Sequence, residues 1–508
     1  MKYNINYGIY TVHGAHDEFK EKQKEKEAEI VEEDDYLVKS IGAFGRWQAI
    51  ACTFAVLGRL IAMWNILSIL FLTPSTEFVC KTLEPSKLII PTNSTCYDSC
   101  TEYEYKEEVF EKTLISEFDL ICGKAWLASF TQTVLMFGVV IGLSIFGWIS
   151  DRFGRSKALM ISPTFAIIFM ISTPFAPTFW IFTALRFFVG IATGGIISIT
   201  SVYVLELVGP QYRELAGTLL LIPDALSEAA LPAIAYLSPT WNVYLWAIAA
   251  ASFVITLLQF FLPETPRWLV ANRMPDKAVD VMTKAALFNN RSTADIKDNV
   301  ERSQQELQLK ETVLTAVNYL DLFKTRRLSI ITVSSFTVWF VTGVCYFGIN
   351  QYNTVLGSNI YIVVAALGLI QIPMAPLASV ITKVFKRKTS TIGSYLSIGV
   401  TMVILTFVPK GSWIASLFGV IGICFSFINF TIIYLYVTEL YPTPIRNMGF
   451  SLSSSGSKIG AMVAPFVANI NSTWIASLIF AVLPFIAAAI CILLPETKGS
   501  KLRDTVDD

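Results

Sequence analysis

Histidine is almost absent: His13 and His16 are the only two in 508 residues, and both sit in a hydrophilic tail. No imidazole remains for a metal centre or for a proton relay in the body of the chain. Charge is scarce too. Lys, Arg, Asp and Glu make up 15% of the sequence, whereas a soluble domain carries about 25% because its surface faces water. Neither sign is in excess, with 39 basic and 39 acidic residues, so nothing favours a nucleic-acid partner. There is no GxSxG, HExxH, phosphate-binding loop or Cys/His metal spacing, which points away from an enzyme and from any metal or cofactor. The first 45 residues carry no long apolar run. No cleavable signal peptide is therefore expected, and the first spanning helix serves as the targeting signal.

What the chain has in abundance is apolar sequence, 54% of it in long blocks. A bilayer core takes about 20 apolar residues of helix. Such stretches fall near 48–72, 126–150, 157–177, 180–205, 215–238, 241–262, 329–350, 359–382, 389–409, 412–438, 447–470 and 473–494. The expected fold is an all-α membrane protein with twelve spans, the bilayer being its solvent. An even count puts both termini on one side. Arg152, Arg155, Lys157, Arg213, Lys383, Lys386, Arg387, Lys388 and Arg446 fall in short loops on the termini's side, against Lys410 alone in the short loops opposite. The positive-inside rule then makes the termini cytoplasmic, in a multi-pass protein expected at the plasma membrane. Trp126, Trp180, Trp241, Trp413 and Trp474 begin even-numbered spans, where this orientation puts the outer interface.

Residues 1–45 form the N-terminal tail, 46–262 a first six-helix bundle, 263–328 a cytoplasmic linker, 329–494 a second bundle and 495–508 the C-terminal tail. The loop 73–125 is extracellular in this arrangement. It holds Cys80, Cys96, Cys100 and Cys122 and the glycosylation sequon at Asn93. Four cysteines in an oxidising compartment imply two disulfides, with three connectivities open. Asp276–Phe288 and Asp295–Leu309 read as short amphipathic helices on the inner face.

The chain repeats itself. Span four ends in Glu206-Leu207-Val208-Gly209-Pro210-Gln211-Tyr212-Arg213, and span ten in Glu439-Leu440-Tyr441-Pro442-Thr443-Pro444-Ile445-Arg446. Pro263-Glu264-Thr265 after span six matches Pro495-Glu496-Thr497 after span twelve, and the two offsets are 233 and 232 residues. Two parallel six-helix halves with substrate bound between them near mid-membrane follow from that plan.

Gly147-Trp148-Ile149-Ser150-Asp151-Arg152-Phe153-Gly154-Arg155-Ser156-Lys157 resembles the signature loop of the major facilitator superfamily, with a degenerate basic counterpart at Lys383–Lys388. Within that superfamily, four features are similar to the organic cation/anion/zwitterion transporter family (solute carrier family 22). They are Gly42–Gln48, the large cysteine-bearing outer loop, Glu117–Cys122 and Pro263–Leu269. One departure is Gln371 before Pro373, where many members have Glu. The resemblance implies a carrier working by alternating access on a small organic ion or zwitterion, with a proton or Na+ as candidate coupling ion. Asp151, Arg152 and Arg155, with the pairs Glu206/Arg213 and Glu439/Arg446, are expected to latch the inner gate.

Ionisable residues inside a membrane are functional candidates by default. Arg59 in span one, Asp224 and Glu228 in span five and Lys458 in span eleven lie near mid-span. Lys458 is about twelve residues, roughly 17 Å, into its helix, too deep to snorkel. Gly456 and Gly460 flank it and leave a groove for a ligand or a helix. Asp224 and Glu228 share a helical face, with Arg59 as their candidate counter-charge. In the family, the residue at the Lys458 position tends to be basic in anion and carnitine-type carriers, so the resemblance implies a carboxylate-bearing substrate. Arg186, with Gly190 and Gly194, is placed to steer anions near the outer end. Trp339, Tyr346, Phe347, Tyr352, Phe425, Phe427, Tyr434 and Tyr436 offer an aromatic wall for a substrate amine. An organic cation carrier of the same family, a sugar porter and a transport-dead scaffold are the competing readings.

Overall fold

The computed structural model describes residues 36–83, 96–97, 100–106, 109–313, 318–356, 359–409, 411–470 and 472–498. His13, His16, Asn93 and Lys410 lie outside them. Among the described residues, eleven helices are long and apolar enough to cross a membrane. A twelfth, Arg446–Ala468, has 23 residues and is more polar, carrying the run Ser453–Lys458.

In chain order the spans are Arg46–Leu72, Trp126–Phe153, Arg155–Ser172, Phe179–Leu207, Arg213–Leu219 continued by Ile222–Tyr236, and Trp241–Gln259. The second set is Arg326–Leu356, Ile360–Val384, Arg387–Thr406, Trp413–Leu440, Arg446–Ala468 and Thr473–Cys491. They are spans 1–12 below. An arginine opens every odd-numbered span, an unfavourable place for a cation beside the positive end of a helix. Membrane sidedness, not helix stability, explains the choice. Even-numbered spans open instead on an uncharged residue. Thr178, Thr240, Asn359 and Ser412 cap spans 4, 6, 8 and 10 by accepting from a backbone N–H of the first turn.

Small residues set how closely helices approach. A Cβ on Gly190 or Gly194 would meet the carbonyl oxygens of Leu135 or Val139 at 2.2 Å, so spans 2 and 4 touch backbone to backbone. The repeat does the same in spans 7 and 11, where a Cβ on Gly456 or Gly460 would lie 2.4 Å or 2.3 Å from the carbonyl oxygens of Phe336 or Phe340. The groove beside Lys458 is therefore filled by span 7. Of the two occupants the sequence left open, it holds a helix.

The halves meet through spans 2 and 11 and through spans 5 and 8. Thr133 Oγ1 donates to the Met462 carbonyl at 2.7 Å and Ser129 Oγ to that of Pro465 at 3.1 Å. Apolar contact between the halves concentrates at one end. Val364 and Ala461 belong to the first half's core, with Phe347, Ile360, Tyr361 and Met462 packed against it. All lie toward the end of the bundle opposite the odd-span arginines.

Between spans 1 and 2 the fold departs from an all-helical expectation. Glu77–Leu83 and Cys100–Lys106 pair as an antiparallel ribbon, with Glu77 opposite Lys106 and Phe78 opposite Tyr105. Disulfides join Cys80 to Cys100 and Cys96 to Cys122, which selects one of the three connectivities. Phe110, Leu114 and Leu120 anchor the base of this loop in the first half's core.

The linker holds helices Pro266–Ala271, Pro275–Phe288 and Ile296–Val313. Trp268, Leu269, Met282 and Val300 form a small core with Ile41 of the helix Tyr36–Ile41. Asn289 ties that core to span 1, accepting from Trp47 N at 3.0 Å and donating to Gln48 Oε1 at 2.8 Å.

Candidate functional site

Arg59 and Asp224 face each other across spans 1 and 5 as a forked pair. Arg59 Nε donates to Asp224 Oδ1 at 2.9 Å and Nη2 to Oδ2 at 2.5 Å, while Nη1 reaches Ser201 Oγ of span 4 at 3.2 Å. Both side chains are 7% exposed. Each cancels the other's charge where solvation is poorest.

Glu228, one helical turn beyond Asp224, is not part of that pair. Its two oxygens accept from Asn350 Nδ2 of span 7 at 2.9 Å and from Gln371 Nε2 of span 8 at 2.8 Å. Tyr346 OH donates to Gln371 Oε1 at 2.9 Å. A carboxyl of the first half is thus held by two carboxamides of the second. Gln371 can serve because it has an N–H to give; a glutamate there would set two carboxylates against each other. Asn350 and Ser201 were not singled out by sequence, since an amide or a hydroxyl in a span carries no charge signal.

Lys458 stands apart. The Gly456/Gly460 face of span 11 lies on span 7, and residue 458, two positions from each, projects from the opposite face. The charges within its reach are Arg59 and Asp224. Among the described residues Nζ has neither an ion-pair partner nor a hydrogen-bond partner, and Lys458 is half-buried. Tyr434, 46% exposed in the last two turns of span 10, lies within the electrostatic reach of Arg59 and packs on Phe450 at 4.7 Å. Phe347 meets Tyr346 edge-on at 5.1 Å and also packs against the first half's core. Arg59, Asp224, Lys458, Tyr346 and Tyr434 therefore come together, with Glu228 and Phe347 behind them.

Arg186 does not join the set. It is 3% exposed and donates to Gln132 Oε1 at 2.9 Å and Ser68 Oγ at 3.4 Å within the first bundle, which removes it from the path of an incoming anion.

The arginine end of the bundle carries a network built twice. Arg155 Nη2 lies 3.0 Å from Glu206 Oε1, and Arg155 also pairs with Asp151. Thr265 Oγ1 donates to Glu206 Oε2 at 2.5 Å. Glu264 accepts from Arg155 N at 2.8 Å at the start of span 3. Burial pushes the Glu264 carboxyl up, while the backbone N–H groups of Thr265, Ser156 and Arg155 hold it down. In the second half Arg387 Nη2 lies 3.5 Å from Glu439 Oε1, Thr497 Oγ1 donates to Glu439 Oε2 at 2.6 Å, and Glu496 accepts from Arg387 N at 2.9 Å. The pairing expected within each motif is thereby corrected. The turns Pro210–Tyr212 and Thr443–Ile445 carry Arg213 and Arg446 into the starts of spans 5 and 11, and Glu206 and Glu439 bond instead to Arg155 and Arg387. Arg446 Nε donates to the Tyr441 carbonyl at 3.4 Å. Arg152 is exposed and stacks over Trp148 at 5.8 Å. Recurrence of Pro-Glu-Thr was the available signal for Glu264, Thr265, Glu496 and Thr497.

The chain matches the family described as "Sugar (and other) transporter" over residues 51–506. It is 30% identical over 439 residues to solute carrier family 22 member 3 of Mus musculus, covering 85% of this chain and 77% of that protein. The chain belongs to solute carrier family 22. Organic cation/carnitine transporter 2 of Rattus norvegicus is 30% identical over 421 residues, 81% of this chain and 74% of that one. Among solved structures, the inward open xylose transporter XylE from E. coli superposes with a TM-score of 0.65 at 16% identity, covering 89% of this chain and 97% of that one. This solute carrier family 22 protein is accordingly a multi-pass membrane transporter with the major facilitator fold, not an enzyme.

Proposed function

We propose that the protein carries a small carboxylate-bearing organic anion or zwitterion across the plasma membrane by alternating access, with Lys458 as the carboxylate anchor. One observation carries the reading: Lys458 is the mid-membrane charge without a protein partner among the described residues. Arg59 and Asp224 satisfy each other, Glu228 is held by Asn350 and Gln371, and Arg186, buried within the first bundle, is tied by hydrogen bonds to Gln132 and Ser68. An uncompensated ammonium at that depth is costly without an anion beside it, so the site selects for a carboxylate. The open ring of Tyr434 favours the zwitterion as the second reading, because its face can take a substrate amine. The carnitine in the rat relative's name is of that class. A cation carrier would need a free carboxylate, and Asp224 is occupied by Arg59; a sugar porter would need amide donors for hydroxyl groups, and Asn350 Nδ2 and Gln371 Nε2 are on Glu228.

Both termini are cytoplasmic in this proposal, supported by the arginine that opens each odd-numbered span. Apolar contact between the halves concentrates at the outer end, which supports an inward-facing arrangement, and near the other end Ser379 Oγ donates to Thr218 Oγ1 at 3.1 Å. Glu228 is the candidate site for a coupling proton, being the membrane-embedded carboxyl whose hydrogen-bond partners among the described residues are neutral amides. Purified protein in proteoliposomes, offered a labelled carboxylate, quaternary ammonium, zwitterion and hexose, tests the function. Saturable uptake of the carboxylate or zwitterion is expected; uptake of the quaternary ammonium alone, or of the hexose alone, overturns the reading.

A further inference from the structure

The internal repeat lets one notch at the arginine end of the bundle be compared in both halves. In the first half it lies between the start of span 1 and the end of span 6, and protein fills it. Leu262 packs with Trp47, which also packs on the linker core of Trp268, Leu269 and Met282. Asn289 seals the join by accepting from Trp47 N at 3.0 Å and donating to the Ile41 carbonyl at 3.0 Å.

In the second half the equivalent notch lies between the start of span 7 and the end of span 12, where Leu494–Pro495 stands in register with Leu262–Pro263. No helix covers it among the described residues. It is a cavity of about 430 Å³ with two kinds of wall. Ile330 and Leu493, 41% and 65% exposed, give an apolar side open to the bilayer. Arg326 and Arg327 give the other side. Both are exposed, and neither has an ion pair or a side-chain hydrogen bond among the described residues. Arg326 is also the first residue of a 31-residue helix, whose opening N–H groups add to the positive potential.

Two unpartnered guanidinium groups at the membrane boundary, above an apolar wall reaching into the bilayer, match a phosphate headgroup above its acyl chains. We propose that an anionic phospholipid occupies this notch, its phosphate on Arg326 and Arg327 and an acyl chain along Ile330 and Leu493. The lipid would fill in the second half the place that the linker helices fill in the first. Naming it a lipid of the cytoplasmic leaflet rests on the orientation proposed above; binding itself does not. The competing occupant is the segment 499–508, which follows Lys498 and carries Asp504, Asp507 and Asp508 beside Lys501 and Arg503.

Native mass spectrometry of the purified full-length protein, with dioleoyl phosphatidylserine or dioleoyl phosphatidylcholine added, decides it. The wild type is expected to retain phosphatidylserine in preference to phosphatidylcholine. R326Q/R327Q should bind phosphatidylserine about 30-fold more weakly, the equivalent of about 2 kcal/mol at about 1 kcal/mol per arginine. Equal retention by wild type and R326Q/R327Q, or no headgroup preference, overturns the proposal. Glycerophosphoserine binding as tightly as the lipid would assign the arginines to a free phosphate, with the same consequence. If a chain lacking 499–508 binds phosphatidylserine and the full-length protein does not, the tail is the occupant and the lipid is not. None of these readouts depends on transport, so they stand or fall apart from the substrate reading.

Discussion

Arg59 holds Asp224 through two parallel hydrogen bonds, of 2.9 Å and 2.5 Å, at the middle of the first bundle. Two of the four expensive mid-membrane charges thereby become a neutral structural unit. What remains without an ion-pair partner among the described residues is Lys458, and Glu228 bridges the halves through Asn350 and Gln371.

A buried pair of this kind costs more when halved than when removed whole, because the orphaned ion keeps its desolvation penalty. R59M and D224N should each destabilise the purified protein by about 3–5 kcal/mol, read as a lowered melting temperature and reduced surface level. The double variant R59M/D224N should melt above either single one. Additive losses would show that the two residues stabilise the protein independently.

The doubled network at the arginine end of the bundle gives a different expectation. R155A and R387A each remove the guanidinium that joins a span end to Glu206 or Glu439. Both variants should reach the surface at near wild-type levels and transport about tenfold more slowly, a loss of about 1.4 kcal/mol in the gating equilibrium. Surface biotinylation beside uptake separates the roles. Loss of surface protein in proportion to uptake would make the network a folding element and remove the latch.

Much of this was legible from residues. Leucine, isoleucine and phenylalanine runs mark the spans, and the arginines at 155, 213, 387 and 446 mark one side. The partner of Glu206 was not legible, since sequence proximity favoured Arg213 and only the fold carries the start of span 3 to the end of span 4. The space beside Gly456 and Gly460 could have held a ligand or a helix; a glycine records close approach without recording what approaches. The ribbon was missed although Cys100–Lys106 alternates acidic and aromatic residues at Glu102, Tyr103, Glu104 and Tyr105, because a short charged strand has no apolar run to announce it.

Glu228 connects Asn350 and Gln371 across the halves, and E228Q keeps its shape while removing its proton chemistry. An imposed pH gradient should alter substrate uptake by wild-type proteoliposomes and leave E228Q uptake unmoved. A response of E228Q equal to that of the wild type, or a wild type indifferent to the gradient, would remove Glu228 as the coupling site.

The anchor role of Lys458 is tested most directly by carboxylate uptake into proteoliposomes holding equal amounts of wild-type protein, K458A and K458R. A charge-assisted contact of about 1.5–3 kcal/mol predicts a KM for K458A raised by about 10- to 100-fold, with K458R between the two because it keeps the charge and changes the geometry. A K458A protein that takes up the carboxylate with the wild-type KM would contradict the account, and the substrate charge would then have to be read from a residue other than Lys458.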